Sequence, residues 1–100
     1  KRELVRRYGL QDGCASVRSI RMEGDAPREE KLLEAARLAR DCDGAEVITL
    51  GCACLAGLDE RLQKELGIPV VDGIAAGVRL AEALARGGAF TSRRGKYRGF

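Results

Sequence analysis

The cysteines are the residues whose type and spacing point most directly to chemistry in this chain. There are four, Cys14, Cys42, Cys52 and Cys54, and there is no histidine. The commonest general base and the commonest zinc ligand are therefore missing, which leaves thiols, carboxylates, lysines and tyrosines for acid–base work. Cys52 is the strongest candidate, because the largely apolar residues 46–50 lead into Gly51 and then deliver this thiol.

The elements around Cys52 predict the carboxyl end of a buried strand. Residues 46–50 are rich in β-branched and aliphatic side chains, which predicts a central strand of a parallel sheet, buried on both faces. Leucines at helical spacing predict a helix over residues 55–66. Cys52 then lies in a strand-to-helix turn, where open α/β sheets place their ligands. We expect the helix N-terminus to lower the pKa of this thiol below its free value of about 8.5.

The rest of the chain predicts helices alternating with strands. We expect a helix over residues 1–8, a strand over 14–20, a loop over 22–26, a helix from 27 to 40, a strand over 69–71 and a helix from 72 to 86. Asp72 is predicted to cap the last helix. This order implies parallel βαβ units with right-handed crossovers. The predicted fold class is therefore α/β, a small parallel sheet flanked by helices, in a single partial domain over residues 1–100.

Composition excludes several functional classes. The 100 residues are 45% hydrophobic and 33% charged, as in an ordinary soluble domain. The net charge of +3 comes from four cations within residues 91–100, so the first ninety residues carry fourteen basic and fifteen acidic side chains. A nearly neutral globular part offers no electrostatic footprint for nucleic acid. No apolar run approaches the roughly twenty residues that a membrane span needs, so we expect no membrane partner.

Two features predict the setting of the chain. Cysteines in an α/β chain without a signal-like N-terminus favour a reduced, cytoplasmic compartment. The chain begins at Lys1 instead of a methionine, so we expect it to be a segment of a longer protein. Residues 88–100 lose helical periodicity and are predicted to form a C-terminal arm.

Three motifs in this order resemble one family. They are Gly51-Cys52-Ala53 after a Val-Ile-Thr-Leu run, the segment 69–78 (Pro-Val-Val-Asp-Gly-Ile-Ala-Ala-Gly-Val), and Thr91-Ser92-Arg93-Arg94-Gly95. Together they resemble the Asp/Glu/hydantoin racemase superfamily, and specifically the C-terminal half of hydantoin racemase-like members. The usual Gly-Cys-Ala-Gly-Met of this family is Gly-Cys-Ala-Cys-Leu here, so Cys54 replaces a glycine.

The resemblance implies one lobe of a two-lobed fold in which each lobe supplies one cysteine. It implies a cofactor-independent racemase of 5-substituted hydantoins or allantoin, with Cys52 as one acid/base residue and no metal. Main-chain N–H groups of Gly51 and Ala53 would bind the substrate carbonyl and stabilise the enolate. The implied partners are a missing N-terminal lobe, a small cyclic ureide and further copies in a homo-oligomer. The segment alone is predicted to be inactive.

Other interpretations remain open from the sequence. Cys52 can be a small buried hydrophobe, and Gly51 and Ala53 can simply suit a tight turn. The substrate can be an acidic amino acid, or the chain can be a non-catalytic binding fragment. A metal or redox dithiol at Cys52 and Cys54 is disfavoured, because zinc needs more ligands than a Cys-x-Cys pair supplies. If Cys54 begins a helix, it points away from the site. The basic tail fits an arm packed on another lobe, a solvated end or, weakly, a binder of single-stranded nucleic acid.

Overall fold

The computed structural model describes residues 1–21 and 27–99, and the predicted loop at 22–26 lies outside this part. The described helices are α1 (Arg2–Arg7), α2 (Arg28–Asp43), α3 (Asp59–Leu66) and α4 (Gly73–Arg86); the strands are β1 (Ile48–Leu50) and β2 (Val70–Asp72). Short 3-10 turns cover Gln11–Gly13, Ala53–Leu55 and Gly95–Tyr97. The predicted α/β class is confirmed, and no described helix has the length and apolar character needed to cross a membrane.

The two strands form a parallel sheet with α3 as the connection between them. Ile48 pairs with Val70 and Leu50 pairs with Asp72. The prediction of parallel pairing is confirmed, although β1 begins two residues later than predicted and β2 is displaced by one. Because Leu50 and Asp72 end their strands side by side, the turns that follow them start at the same edge of the sheet.

The core lies on one face of this sheet, beneath α2 and α3. Its buried members are Leu32, Ala36, Leu50, Leu55, Leu62, Leu66 and Val70. Thr49 and Val71 alternate with buried neighbours along the strands and are exposed, as the two-residue period of a strand requires. The prediction of a strand buried on both faces is therefore wrong for this chain, because its described residues cover only one face.

The predicted strand at residues 14–20 is also wrong. The structure places no strand there. The segment is held to α2 instead: the Arg18 guanidinium donates two hydrogen bonds to the Asp43 carboxylate, from Nε at 2.6 Å and from Nη2 at 2.8 Å. Ile20 packs against the core from this segment. Small residues such as Ala15 and Ser16 favour strands weakly, so side-chain anchoring decides its path.

Local backbone chemistry sets the limits of α3. The helix begins at Asp59 and not at residue 55 as predicted, because Ala56 is extended and Gly57 adopts a φ of +82°. These two residues separate the 3-10 turn Ala53–Leu55 from the helix. The predicted C-cap is confirmed, since Gly67 has a φ of +69° and its N–H bonds to the carbonyl of Gln63. Helix α2 ends at Asp43, three residues beyond the predicted end at Arg40, with Gly44 as its C-cap.

Helix α4 is only partly covered. Its N-terminus is capped by the Asp72 side chain as predicted, yet none of its residues is buried. Ile74, Val78 and Leu84 are 51%, 57% and 54% exposed. The radius of gyration is 16.6 Å, above the roughly 13 Å of a compact chain of this length. An apolar surface on α4 and the residues beyond it therefore have no cover within the described chain.

Candidate functional site

Cys52 lies two residues beyond β1, at the carboxyl edge of the sheet. Its backbone is extended, with φ −137° and ψ 136°, and its carbonyl accepts a hydrogen bond from the Leu55 N–H at 3.0 Å. This bond closes the 3-10 turn. The Cys52 side chain is exposed, so it is not the packed core residue that one interpretation of the sequence allowed.

Cys54 lies beside Cys52. The turn curls the chain so that the two Sγ atoms are 2.9 Å apart, and Cys54 is also exposed. Cys54 does not begin a helix, so the suggestion that it points away from the site is wrong. The structure instead brings two thiols together at the point where the sequence predicts one.

The two thiols have opposite pKa shifts. The pKa of Cys52 is lowered, first by the hydrogen bond with the Cys54 thiol and then by the Cys54 N–H. Lys1 and Arg28 also lower this pKa, whereas partial desolvation raises it. The hydrogen bond to Cys52, followed by desolvation, raises the pKa of Cys54. Either sulfur could donate in this contact, and the opposite pKa shifts favour Cys54 as the donor and Cys52 as the acceptor. The predicted direction agrees with this arrangement, but the predicted cause does not, because α3 begins seven residues after Cys52.

Two cations approach this turn from distant parts of the sequence. Arg28, the first residue of α2, donates from Nη1 to the Cys54 carbonyl at 3.3 Å. Lys1 lies over the preceding residue, since a β-carbon built on Gly51 would be 3.4 Å from its Cε. Sequence reasoning missed both cations. Pro27 marks the start of a helix, but no local pattern shows which turn that helix end approaches.

Asp72 clamps the loop that follows the thiols. Its Oδ1 accepts from the N–H groups of Ile74 at 2.8 Å and Ala75 at 3.2 Å, and its Oδ2 accepts from the Gly57 N–H at 3.1 Å. These three donors lower the pKa of the Asp72 carboxyl. The side chain is buried, and its role is to hold the loop against the start of α4, as the N-cap interpretation of the sequence predicted in part.

The remaining site residues flank Cys52 on an open surface. Gly51 and Ala53 are both exposed, and their role as substrate donors stays a prediction. Within residues 1–21 and 27–99, no three Cys, His, Asp or Glu side chains come together as metal ligands. A cavity of about 30 Å³ between α2 and α3 is lined by residues such as Leu32 and Leu62 and does not include the thiols.

Comparison with known proteins decides the family. A family model described as Asp/Glu/Hydantoin racemase matches residues 1–81. The chain belongs to this racemase family. The resemblance drawn from the Gly51-Cys52-Ala53 context and its companion motifs is thereby confirmed.

Relatives of this racemase-family chain are similar over nearly its whole length. A hydantoin racemase of Rhizobium meliloti is 44% identical over 95% of the chain, and one of Pseudomonas sp. is 38% identical over 96%. A crystal structure of allantoin racemase from Pseudomonas fluorescens matches 95% of the chain with a TM-score of 0.82 and 40% identity. Allantoin racemase from Klebsiella pneumoniae matches 94% with a TM-score of 0.84 and 35% identity.

The racemase-family chain spans only part of these proteins. It covers 42% and 41% of the two hydantoin racemases, and 43% and 41% of the two allantoin racemases. Its fold is consistent with one lobe of a larger protein. The uncovered sheet face and the exposed surface of α4 agree with that extent.

Proposed function

We propose that this chain is the C-terminal lobe of a cofactor-independent racemase of 5-substituted hydantoins or allantoin, with Cys52 as one of its two acid/base residues. The observation that carries the proposal is an exposed thiol at the sheet edge, whose Sγ lies 2.9 Å from the Sγ of a second exposed thiol. The printed activities of the relatives, hydantoin racemase and allantoin racemase, support the substrate class. Both substrates are five-membered cyclic ureides with one acidic C–H next to a carbonyl.

The reaction needs a base on one face of the C5 carbon and an acid on the other. The Cys52 thiolate removes the C5 proton and becomes a thiol, and the electron pair of the broken C–H bond moves into the adjacent carbonyl to form an enolate. A thiol from the absent lobe then gives its proton to the opposite face, which inverts the centre. The two sulfurs have exchanged protonation states, and the next turnover runs in the reverse direction.

Cys54 has a positioning role in this proposal. A hydrogen bond from the Cys54 S–H stabilises the Cys52 thiolate, because a hydrogen bond to an ionised group favours its charged form. Arg28 and Lys1 add positive charge on the same side of the turn. An unactivated thiol is only a few per cent ionised near neutral pH, so these groups supply what the helix N-terminus was expected to supply.

Gly51 and Ala53 are proposed to bind the substrate carbonyl. Each flanks Cys52 directly in the segment that carries the base. Main-chain donors aimed at an oxygen that gains negative charge stabilise the enolate more than they stabilise the ground-state carbonyl. They therefore lower the barrier to proton removal.

The second lobe is proposed to cover the surfaces that this chain leaves open. Thr49 and Val71 mark an uncovered sheet face, and Ile74 and Val78 mark an exposed apolar face of α4. Because the second acid/base cysteine comes from that lobe, the isolated chain is proposed to be inactive. Further copies in a homo-oligomer and a cytoplasmic location remain part of the proposal.

The test uses the complete protein, with this chain joined to the rest of the racemase length. An optically pure 5-substituted hydantoin and allantoin are followed by chiral chromatography. Cys52→Ser should lower the rate by about 10²- to 10⁴-fold, the usual contribution of one acid/base group. Cys42→Ser is the matched control, since Cys42 is also exposed but lies outside the site. Full activity in Cys52→Ser would contradict the proposal.

The same assay separates the alternatives. If the complete protein racemises aspartate or glutamate but neither of the cyclic ureides, its substrate is an acidic amino acid. No racemisation of any of these substrates by the complete wild-type protein would favour a non-catalytic fragment.

A further inference from the structure

We propose that Cys52 and Cys54 form a reversible intramolecular disulfide when a hydroperoxide oxidises Cys52, with Cys54 as the resolving cysteine. This modification goes beyond the proposed racemase activity. It rests on that activity in one respect only, namely that the disulfide would switch off the acid/base thiol.

The geometry places the two sulfurs close to bonding distance. Their Sγ atoms are 2.9 Å apart, and a disulfide needs about 2.05 Å. The separation of the two sulfurs must therefore shorten by about 0.9 Å within one 3-10 turn. Both side chains are exposed, so a small peroxide can reach either sulfur without any opening of the core.

The surroundings assign a different role to each thiol. The contact with Cys54 and two nearby cations lower the pKa of Cys52, which favours the thiolate, the form that reacts with peroxide. Cys54 keeps its proton and lies within reach of the oxidised product. A reactive thiolate beside a protonated neighbour is the arrangement of a peroxide-sensing pair.

The chemistry balances in two steps. The Cys52 thiolate attacks one oxygen of hydrogen peroxide and the O–O bond breaks. Hydroxide leaves, and Cys52 becomes a sulfenic acid. Cys54 then loses its proton and attacks the Cys52 sulfur; the S–S bond forms, the S–O bond breaks and the departing hydroxide takes that proton as water. The thiolate and the thiol lose two electrons and one proton in total, and the peroxide is reduced to one water and one hydroxide, which takes a proton from the solvent to become the second water. A small dithiol reverses the change by thiol–disulfide exchange.

The remaining cysteines lack this arrangement. Cys42 is exposed, and Cys14 is half-buried with its thiol donating to the Ser16 carbonyl at 3.6 Å. Neither has the neighbouring thiol that Cys52 has. Peroxide should therefore consume Cys52 and Cys54 together before it affects Cys14 or Cys42.

The experiment uses peptide mass spectrometry in a Cys14→Ser/Cys42→Ser background. Trypsin cuts after Arg40 and Arg61, so Cys42 would otherwise share a peptide with both thiols. After one equivalent of hydrogen peroxide and an iodoacetamide quench, the peptide should be lighter by two hydrogen atoms and unalkylated. Dithiothreitol should then expose two alkylatable thiols. In the same background with Cys54→Ser, dimedone should trap the Cys52 sulfenic acid and no disulfide should form.

Two results would overturn the inference. One is that Cys52 proceeds to sulfinic acid while Cys54 stays free; the other is that the peroxide leaves both thiols unchanged under conditions that oxidise Cys42 in the wild-type chain. In the complete protein treated with excess peroxide, dithiothreitol should restore racemisation in the wild type, whose Cys52 is protected as the disulfide, and fail to restore it in Cys54→Ser, whose Cys52 sulfenic acid is oxidised further to sulfinic acid. If the wild type forms the disulfide but Cys52→Ser keeps full activity, the proposed function is contradicted and the proposed modification is supported. If Cys52→Ser is inactive but the wild type forms no disulfide, the proposed function is supported and the proposed modification is contradicted.

Discussion

Gly73 is the residue whose replacement best tests how closely α4 approaches β1 at the thiol turn. A β-carbon built there would lie 2.8 Å from the Leu50 carbonyl oxygen, whereas ordinary contact begins at 3.4 Å, so a gap of about 0.6 Å must open. The obstacle is backbone and cannot rotate away. Overpacking of this kind costs about 1–3 kcal/mol, and a better helix former returns at most about 1 kcal/mol. We expect Gly73→Ala to lower the free energy of unfolding by about 1–2 kcal/mol.

The assay is equilibrium unfolding in urea, with Gly77→Ala as the matched control. Gly77 lies in the same helix, and nothing would lie within 4 Å of its added β-carbon. That variant should be more stable than the wild type by about 0.5–1 kcal/mol. The same displacement moves Leu50 and hence Cys52, so Gly73→Ala should also reduce racemisation by the complete protein roughly tenfold. Equal urea midpoints for the two variants would refute the close approach.

Three further variants test the clamp, the core and the uncovered helix. Asp72→Asn should lower stability at neutral pH, because Oδ2 no longer accepts from Gly57. The pKa of Asp72 is lowered from 3.8, so the ionised carboxylate stabilises the wild type, and this stabilisation should be lost as the pH falls through the pKa of the folded state. In urea unfolding over the same pH range, the free energy of unfolding of Asp72→Asn should fall less than that of the wild type. Leu62→Ala should cost about 2–5 kcal/mol in the same assay, and a smaller loss would contradict its place in the core. Val78→Asp should change the stability of this chain by under about 0.5 kcal/mol, yet lower the melting temperature of the complete protein; a large loss in the chain alone would contradict an uncovered α4.

Much of the framework follows from short-range patterns. The N-cap at Asp72, the C-cap at Gly67 and the helix start after Pro27 depend on residues within one turn of each other, and all three were predictable. The parallel pairing of β1 and β2 follows from strand–helix–strand order. The general position of Cys52, after a strand and before a helix, follows from the same local rules.

The errors arise where distant parts of the chain decide. Residues 14–20 have an alternating pattern, but the bond from Arg18 to Asp43 holds them beside α2 without a strand partner. Leucine spacing extended α3 back to residue 55, although Gly57 interrupts it. Whether a face of the sheet is buried depends on the elements that pack against it, and the composition of a strand does not show which elements are present.

The position of Cys52 could be predicted from the sequence, but the groups that surround it could not. Sequence identified Cys52 but ascribed its activation to a helix terminus. The groups that lower the pKa of Cys52 in the structure are Cys54, brought back by a 3-10 turn, and the cations Lys1 and Arg28, which approach from elsewhere in the chain. A Cys-x-Cys spacing permits many backbone paths, and only the observed one brings the sulfurs together.

The most direct test of an activated thiol is the pH dependence of iodoacetamide alkylation at each cysteine of the folded chain, followed by peptide mass spectrometry. Cys52 should alkylate with a midpoint below that of Cys42, and Cys54→Ala should raise the Cys52 midpoint because it removes the thiol donor. Superimposable pH profiles for Cys52 and Cys42, unchanged by Cys54→Ala, would contradict the account.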